Sequence, residues 1–151
     1  MTQLRLLKSA HEFLVRHERR QALVLAECER LVRAGELKLC ELERYHAVYE
    51  RDFGVRAEVG MTAGHARTYQ TFLARIAEAV SEQQLLLART RAQHAEELRK
   101  WGTAASRCAA LNRLLERRER SARQQAEKSA QAESDAHAQR QWALKGARRG
   151  H

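Results

Sequence analysis

Proline is missing altogether from a chain of 151 residues, where average usage of about 5% would supply roughly seven. Glycine is also sparse, at seven, and β-branched apolar residues amount to seven Val and the single Ile76. A β-sandwich, a parallel sheet and a glycine-rich nucleotide fold are therefore unexpected. Aromatics are few as well, with three Phe, three Tyr and two Trp, too little bulk to fill a thick core. No run approaches the ~20 apolar residues that cross a bilayer. Met1–Lys8 lacks the apolar h-region of a secretory signal, so none is expected. Cys28, Cys40 and Cys108 are odd in number and show no CxxC spacing, which fits reduced thiols in the cytoplasm.

What is present is helix-forming material. Ala, Glu, Lys, Leu and Arg make up 90 of the 151 residues, a composition typical of long helices and coiled coils. Leu4, Leu7, Leu14, Leu25, Cys28, Val32, Leu39, Leu42, Tyr49 and Phe53 recur in alternating steps of three and four on one heptad seam. His11, Glu18, Gln21, Gly35 and His46 interrupt it. The seam predicts a first helix over about 3–53, with Gly54 at its C′ position. Residues 54–64 hold three of the seven Gly and are expected to form the turn, with Thr62 capping a second helix. That helix is predicted over about 65–140. Its seam runs Ala66, Tyr69, Leu73, Ile76, Val80, Gln83, Leu87, Thr90, His94. One extra step of four is then needed to continue through Leu98, Trp101, Ala105, Cys108, Asn112 and Leu115, as in a stutter.

Folding back at the turn pairs residues whose numbers add to about 118. Leu42 is then expected opposite Ile76, Tyr45 opposite Phe72 or Leu73, Tyr49 opposite Tyr69, and Leu4 opposite Leu114. The predicted fold is all-α: an antiparallel coiled-coil hairpin over 1–144 with a protruding C-terminal overhang beyond about 116. A frayed basic tail is expected over 145–151. So thin a core relative to the chain it must order suggests that a partner belongs to the working state.

The net charge of +9 is unevenly placed. Residues 1–54 carry 10 Lys/Arg against 9 Asp/Glu, and residues 55–151 carry 18 against 10. Arg113, Arg117, Arg118, Arg120, Arg123 and Lys128 are the densest part. This face reads as a surface for an acidic partner, a nucleic acid or an anionic membrane, or as a solvated helical face with i,i+4 pairs. A zipper should follow a basic region, whereas this seam fades after it, so DNA recognition by a basic-zipper helix fits poorly. Residues 116–140 offer mainly Ala opposite the arginines, which is weak for a membrane surface.

Enzymatic chemistry has no visible seat. Seven His are scattered without HExxH or a Cys/His cluster, and neither GxxxxGK[ST] nor GxGxxG occurs. No catalytic residue, cofactor or metal is expected, and a two-helix rod has no pocket to dry a reacting group. The sharper feature is aromatic. All three Tyr and two of the three Phe lie between 45 and 72. Leu42, Tyr45 and Tyr49 form one stripe; Tyr69, Phe72, Ile76, Ala79 and Gln83 form another beside it. Packing at the tip accounts for Tyr49, Tyr69 and Ile76. Tyr45, Phe72 and Ala79 fall off the seam and leave an apolar surface of the kind that marks binding sites.

Four stretches carry a resemblance: Leu42-Glu-Arg-Tyr45-His-Ala-Val-Tyr49, Tyr69-Gln-Thr-Phe72-Leu-Ala-Arg-Ile76-Ala-Glu-Ala79-Val-Ser-Glu-Gln83, Leu98-Arg-Lys-Trp101, and Gln131-Ala-Glu-Ser-Asp135-Ala-His-Ala138-Gln139-Arg140. In order and spacing around one glycine turn they resemble the FliJ family of flagellar type III export, with YscO-like injectisome relatives. Ala136 stands where the family usually has Glu, and Lys38 where Gln is familiar, so the flagellar and injectisome readings both stay open. The resemblance implies a non-enzymatic stalk, similar to that of rotary ATPases, linking a hexameric export ATPase (FliI-like) to an export-gate protein (FlhA-like) and assisting export chaperones. It implies that Leu42, Tyr45, Tyr49, Phe72, Ile76, Ala79 and Gln83 dock on the gate. Charge and geometry place Arg113, Arg117, Arg118, Arg120 and Arg123 against the ATPase ring. The chain is then expected in the cytoplasm, peripheral at the inner face of the membrane, reaching it only through protein partners. A basic nucleic-acid-binding hairpin and a generic scaffold are the alternatives.

Overall fold

The computed structural model describes residues 2–150. Two α-helices account for almost all of them, α1 over Thr2–Val59 (58 residues) and α2 over Ala63–Arg149 (87 residues). No strand occurs among the described residues. The fold is all-α, two long helices packed against each other.

The reversal is shorter than the glycine cluster suggests. Helix α1 runs straight through Gly54 and stops at Val59. Gly60 takes φ +115° and donates its N–H to the Arg56 carbonyl at 3.1 Å, a left-handed C-cap that only Gly adopts without strain. Thr62 then caps α2, its Oγ1 accepting the His65 N–H at 3.2 Å. The expected turn over 54–64 thus contracts to Gly60–Thr62. Gly54 is no cap: without a proline or a positive φ to stop it, a helix continues through a lone Gly at a modest cost. At the other end α2 reaches Arg149, beyond the predicted 140 and through most of the 145–151 stretch expected to fray.

The described residues form two compact units, one of residues 17–105 and one of residues 2–16 with 106–150. In the first, every α1 seam position from Glu18 to Phe53 is buried or half-buried. On α2 the same holds from Ala66 through His94, after which the pattern departs from the predicted stutter. Glu97 is 6% exposed and Leu98 46%, and Ala104 is buried. The heptad therefore continues unbroken through Glu97, Trp101 and Ala104, so the extra step of four is not taken. Hydrophobicity favours Leu98 as the seam residue, but helical continuity decides otherwise. Glu97 tolerates the interior because Gln93 donates to it at 3.0 Å and Lys100 lies 3.4 Å away. Two of the polar seam contacts cross between the helices: Trp101 Nε1 donates to Glu18 Oε1 at 2.8 Å, and Gln83 Nε2 to the Gly35 carbonyl at 3.2 Å. Gln21 Oε1 and His94 Nε2, by contrast, are buried with no hydrogen-bond partner among the described residues. Cys28 is buried, Cys40 exposed and Cys108 half-buried, all as free thiols.

In the second unit Lys8 pairs with Glu119 at 3.6 Å, and Leu4 and Leu7 line a groove with Arg118 and Ala122. Leu4 thus meets the chain near Arg118 rather than Leu114, and the overhang begins after Ala122 rather than 116. From Arg120 to Gly150 every residue is exposed.

Candidate functional site

The end of unit 17–105 nearest the reversal is built from aromatic rings held by the two helices. Tyr45 and Tyr49, one turn apart on α1, place their rings 4.9 Å apart and tilted by 40°. Tyr49 meets the Phe72 ring edge-on, also at 4.9 Å and at 71°. Phe53 lies 5.7 Å from the Tyr69 ring. Such tilted and edge contacts suit the ring quadrupole, positive edge against negative face. The observed partners are Tyr49 with Phe72 and Phe53 with Tyr69. The register is about one turn away from the expected Tyr49–Tyr69 pairing, because α1 extends six residues past Phe53 before it turns.

Polar groups close the tip. Tyr69 donates its hydroxyl to Asp52 Oδ2 at 2.8 Å, and Arg56 reaches the same carboxylate at 3.2 Å. The Arg56 guanidinium also lies 5.8 Å from the Tyr69 ring centre. The Tyr69 hydrogen bond, helped by Arg56, holds the Asp52 carboxyl below its ordinary range. The same bond pushes the Tyr69 phenol up. Hydrogen bonding with Tyr45 pushes the Tyr49 phenol up too. This triad of Asp52, Tyr69 and Arg56 is not visible as a cluster in the sequence. Its only signal there is an Asp one residue before Phe53 and an Arg three residues after it.

Of the seven residues implied for gate docking, the structure brings all onto the first unit but does not expose them equally. Tyr45 is 54% exposed and Phe72 39%. Leu42, Tyr49 and Ala79 are half-buried, whereas Ile76 and Gln83 are buried between the helices. Ile76 and Gln83 therefore support the surface from beneath. An open groove of about 720 Å³ runs along Glu41, Arg44, Tyr45, Val48, Tyr49 and Asp52, beside the stacked tyrosines.

Arg113, Arg117, Arg118, Arg120 and Arg123 lie in the other unit and are all exposed. Among the described residues no carboxylate comes within 4.0 Å of any of them, although Glu116, Glu119 and Glu127 are near in sequence. Glu116 instead accepts from Asn112, and Glu119 pairs with Lys8. The arginines thus present uncompensated charge, not a lattice of i,i+4 pairs. Further along, Gln131 donates to Asp135 at 3.2 Å, so that motif is joined within its own helix. Trp142 is 79% exposed, an apolar surface residue that heptad spacing does not single out because it lies beyond the fading seam. Among the described residues no group of His, Cys, Asp and Glu could hold a metal, and no helix is long and apolar enough to cross a membrane.

Compared with known protein families, residues 7–147 match FliJ, described as the flagellar FliJ protein. Searches of the curated proteins and of the solved structures returned no match.

Proposed function

The chain belongs to the FliJ family, a component of flagellar type III protein export, and we propose that it couples a hexameric export ATPase to the membrane export gate without chemistry of its own. On this reading the aromatic end docks on the gate's cytoplasmic domain through Tyr45, Tyr49 and Phe72, with Leu42 and Ala79 at the margins. Ile76 and Gln83 hold that face in shape. The arginine face of 113–123 meets the acidic surface of the ATPase ring, and export chaperones are handled nearby. The chain works in the cytoplasm, peripheral to the inner membrane and reaching it through these partners.

The observation that carries the gate assignment is the Tyr45–Tyr49–Phe72 stack, whose Tyr45 and Phe72 rings are exposed beside the charged Glu41, Arg44 and Asp52. The ATPase assignment is supported by five exposed arginines with no carboxylate partner. Charge reversal of Arg117, Arg118 and Arg120 to Glu should abolish stimulation of the export ATPase while leaving helicity intact. Full stimulation by that variant would remove the arginine face from the mechanism.

A further inference from the structure

Phe72 is offered to a partner by a small margin. It sits one position before the half-buried seam residue Leu73, is 39% exposed, and rests its ring edge-on against Tyr49. A modest roll of α2 about its own axis would carry it under α1 or out into water. Aromatic contacts tolerate a range of tilts and offsets, so the Tyr45–Tyr49–Phe72 stack does not by itself set that roll. Hydrogen bonds are directional, and they can. Among the described residues no hydrogen bond or ion pair joins 37–51 of α1 to 70–82 of α2. The roll is fixed from outside that stretch.

Two bonds bracket it. Away from the reversal, Gln83 donates to the Gly35 carbonyl at 3.2 Å, where a Cβ on Gly35 would stand 3.1 Å from Leu87 Cδ1. That bond is 14 residues, or about 21 Å, from Tyr69 along α2. Toward the reversal, Tyr69 donates its hydroxyl to Asp52 Oδ2 at 2.8 Å. Asp52 lies three residues after Tyr49 and Tyr69 three before Phe72, so this bond is about one turn from the Tyr49–Phe72 contact on both helices at once. Its acceptor is held in turn, since Arg56 Nε lies 3.2 Å from the same oxygen and the guanidinium 5.8 Å from the Tyr69 ring centre. A hydrogen bond to an ionised carboxylate is of the stronger kind.

We infer that Asp52 and Tyr69 are positioning residues of the docking surface: their hydrogen bond fixes the roll of α2 against α1 at the tip, and with it how much of Phe72 a partner meets. Arg56 steadies the carboxylate without touching the partner. The inference rests on the gate-docking reading and adds to it two residues outside the seven that the resemblance implies. It also gives the polar cluster a task beyond stability. A surface already held in its bound geometry has less freedom to lose on association.

Calorimetric titration of the full chain with the gate's cytoplasmic domain tests this. It is run where circular dichroism shows every variant fully folded, so lost stability alone leaves affinity unchanged. Tyr69→Phe, which keeps the ring and deletes the donor, should weaken binding about fivefold or more, and Asp52→Ala by a similar factor. Asp52→Asn keeps an acceptor oxygen and should bind within about twofold of the parent. In a Phe72→Leu background, where the ring to be positioned is gone, Tyr69→Phe should cost nothing further. An undiminished loss in that background would make Tyr69 an independent contact and overturn the positioning role. Equal losses for Asp52→Asn and Asp52→Ala would overturn the hydrogen bond as its cause. If Phe72→Ala loses binding while Tyr69→Phe and Asp52→Ala bind as the parent does, tip docking stands and the positioning role is overturned. If Phe72→Ala also binds normally, the docking reading itself fails and the positioning role falls with it.

Discussion

Trp101 donates its indole N–H to Glu18 Oε1 at 2.8 Å across the two helices. The two residues are 83 positions apart in sequence, and Glu18 occupies what heptad logic reserves for an apolar side chain. The bond fixes register, because a shift of one turn in either direction leaves both a half-buried carboxylate and an indole donor unpartnered. Trp101→Phe keeps an aromatic ring and deletes the donor, and should destabilise the chain by about 1–3 kcal/mol. Urea unfolding followed by circular dichroism measures this. Glu18→Leu leaves the neutral indole N–H rather than a carboxylate unpartnered and adds an apolar side chain to the seam, so it should cost less.

Gly54 and Gly60 respond oppositely to the same substitution. A Cβ at Gly54 meets nothing within 4 Å, so Gly54→Ala should stabilise by about 0.5–1 kcal/mol through helix propensity. Gly60 holds φ +115°, where an L side chain is strained, so Gly60→Ala should destabilise by about 1 kcal/mol or more. Melting temperatures moving in opposite directions would locate the reversal at Gly60–Thr62; a loss at Gly54 would return it to the wider glycine stretch.

Protonation tests the tip. The Asp52 carboxyl is held below its ordinary value of 3.8 by Tyr69 and Arg56. Its contribution to stability is therefore fully present above that value and fades as pH falls through the lowered one. The Tyr69 phenol is raised above its ordinary 10.0, so its contribution is present below that value and is lost as pH rises through the raised one. Tyr69→Phe should be less stable than the parent at pH 7, with the difference closing at both extremes. A pH series of denaturation midpoints checks this, and a constant difference throughout would exclude the Asp52–Tyr69 bond as its source.

Glu97 tests the continuity of the second seam. It is buried at a position where the heptad calls for an apolar residue, and Leu98 beside it is exposed. Replacing a buried charge by an apolar residue of similar size is often neutral or stabilising by about 1–4 kcal/mol. Glu97→Leu should raise the melting temperature and Leu98→Ala should barely change it. The reverse ranking would restore a stutter.

Periodicity and composition alone make the two helices, the seam of α1 and the aromatic end legible. Seam positions from Leu4 to Phe53 are buried or half-buried as their spacing implies. Register is less legible, because it depends on where the reversal closes, and Gly54, Gly60 and Gly64 are indistinguishable until one adopts positive φ. Glu97 escapes for a related reason: hydrophobicity ranks Leu98 above it, while only continuous packing assigns it to the interior. The Asp52–Tyr69–Arg56 cluster combines two helices and requires the true register.

The decisive comparison is between the full chain and its Tyr45→Ala/Phe72→Ala variant, in affinity for the gate's cytoplasmic domain. Both substituted side chains are exposed, so the variant should remain helical. Docking through the aromatic end predicts at least a tenfold loss of gate binding, with stimulation of the export ATPase unchanged. Undiminished gate binding by the folded variant would contradict it.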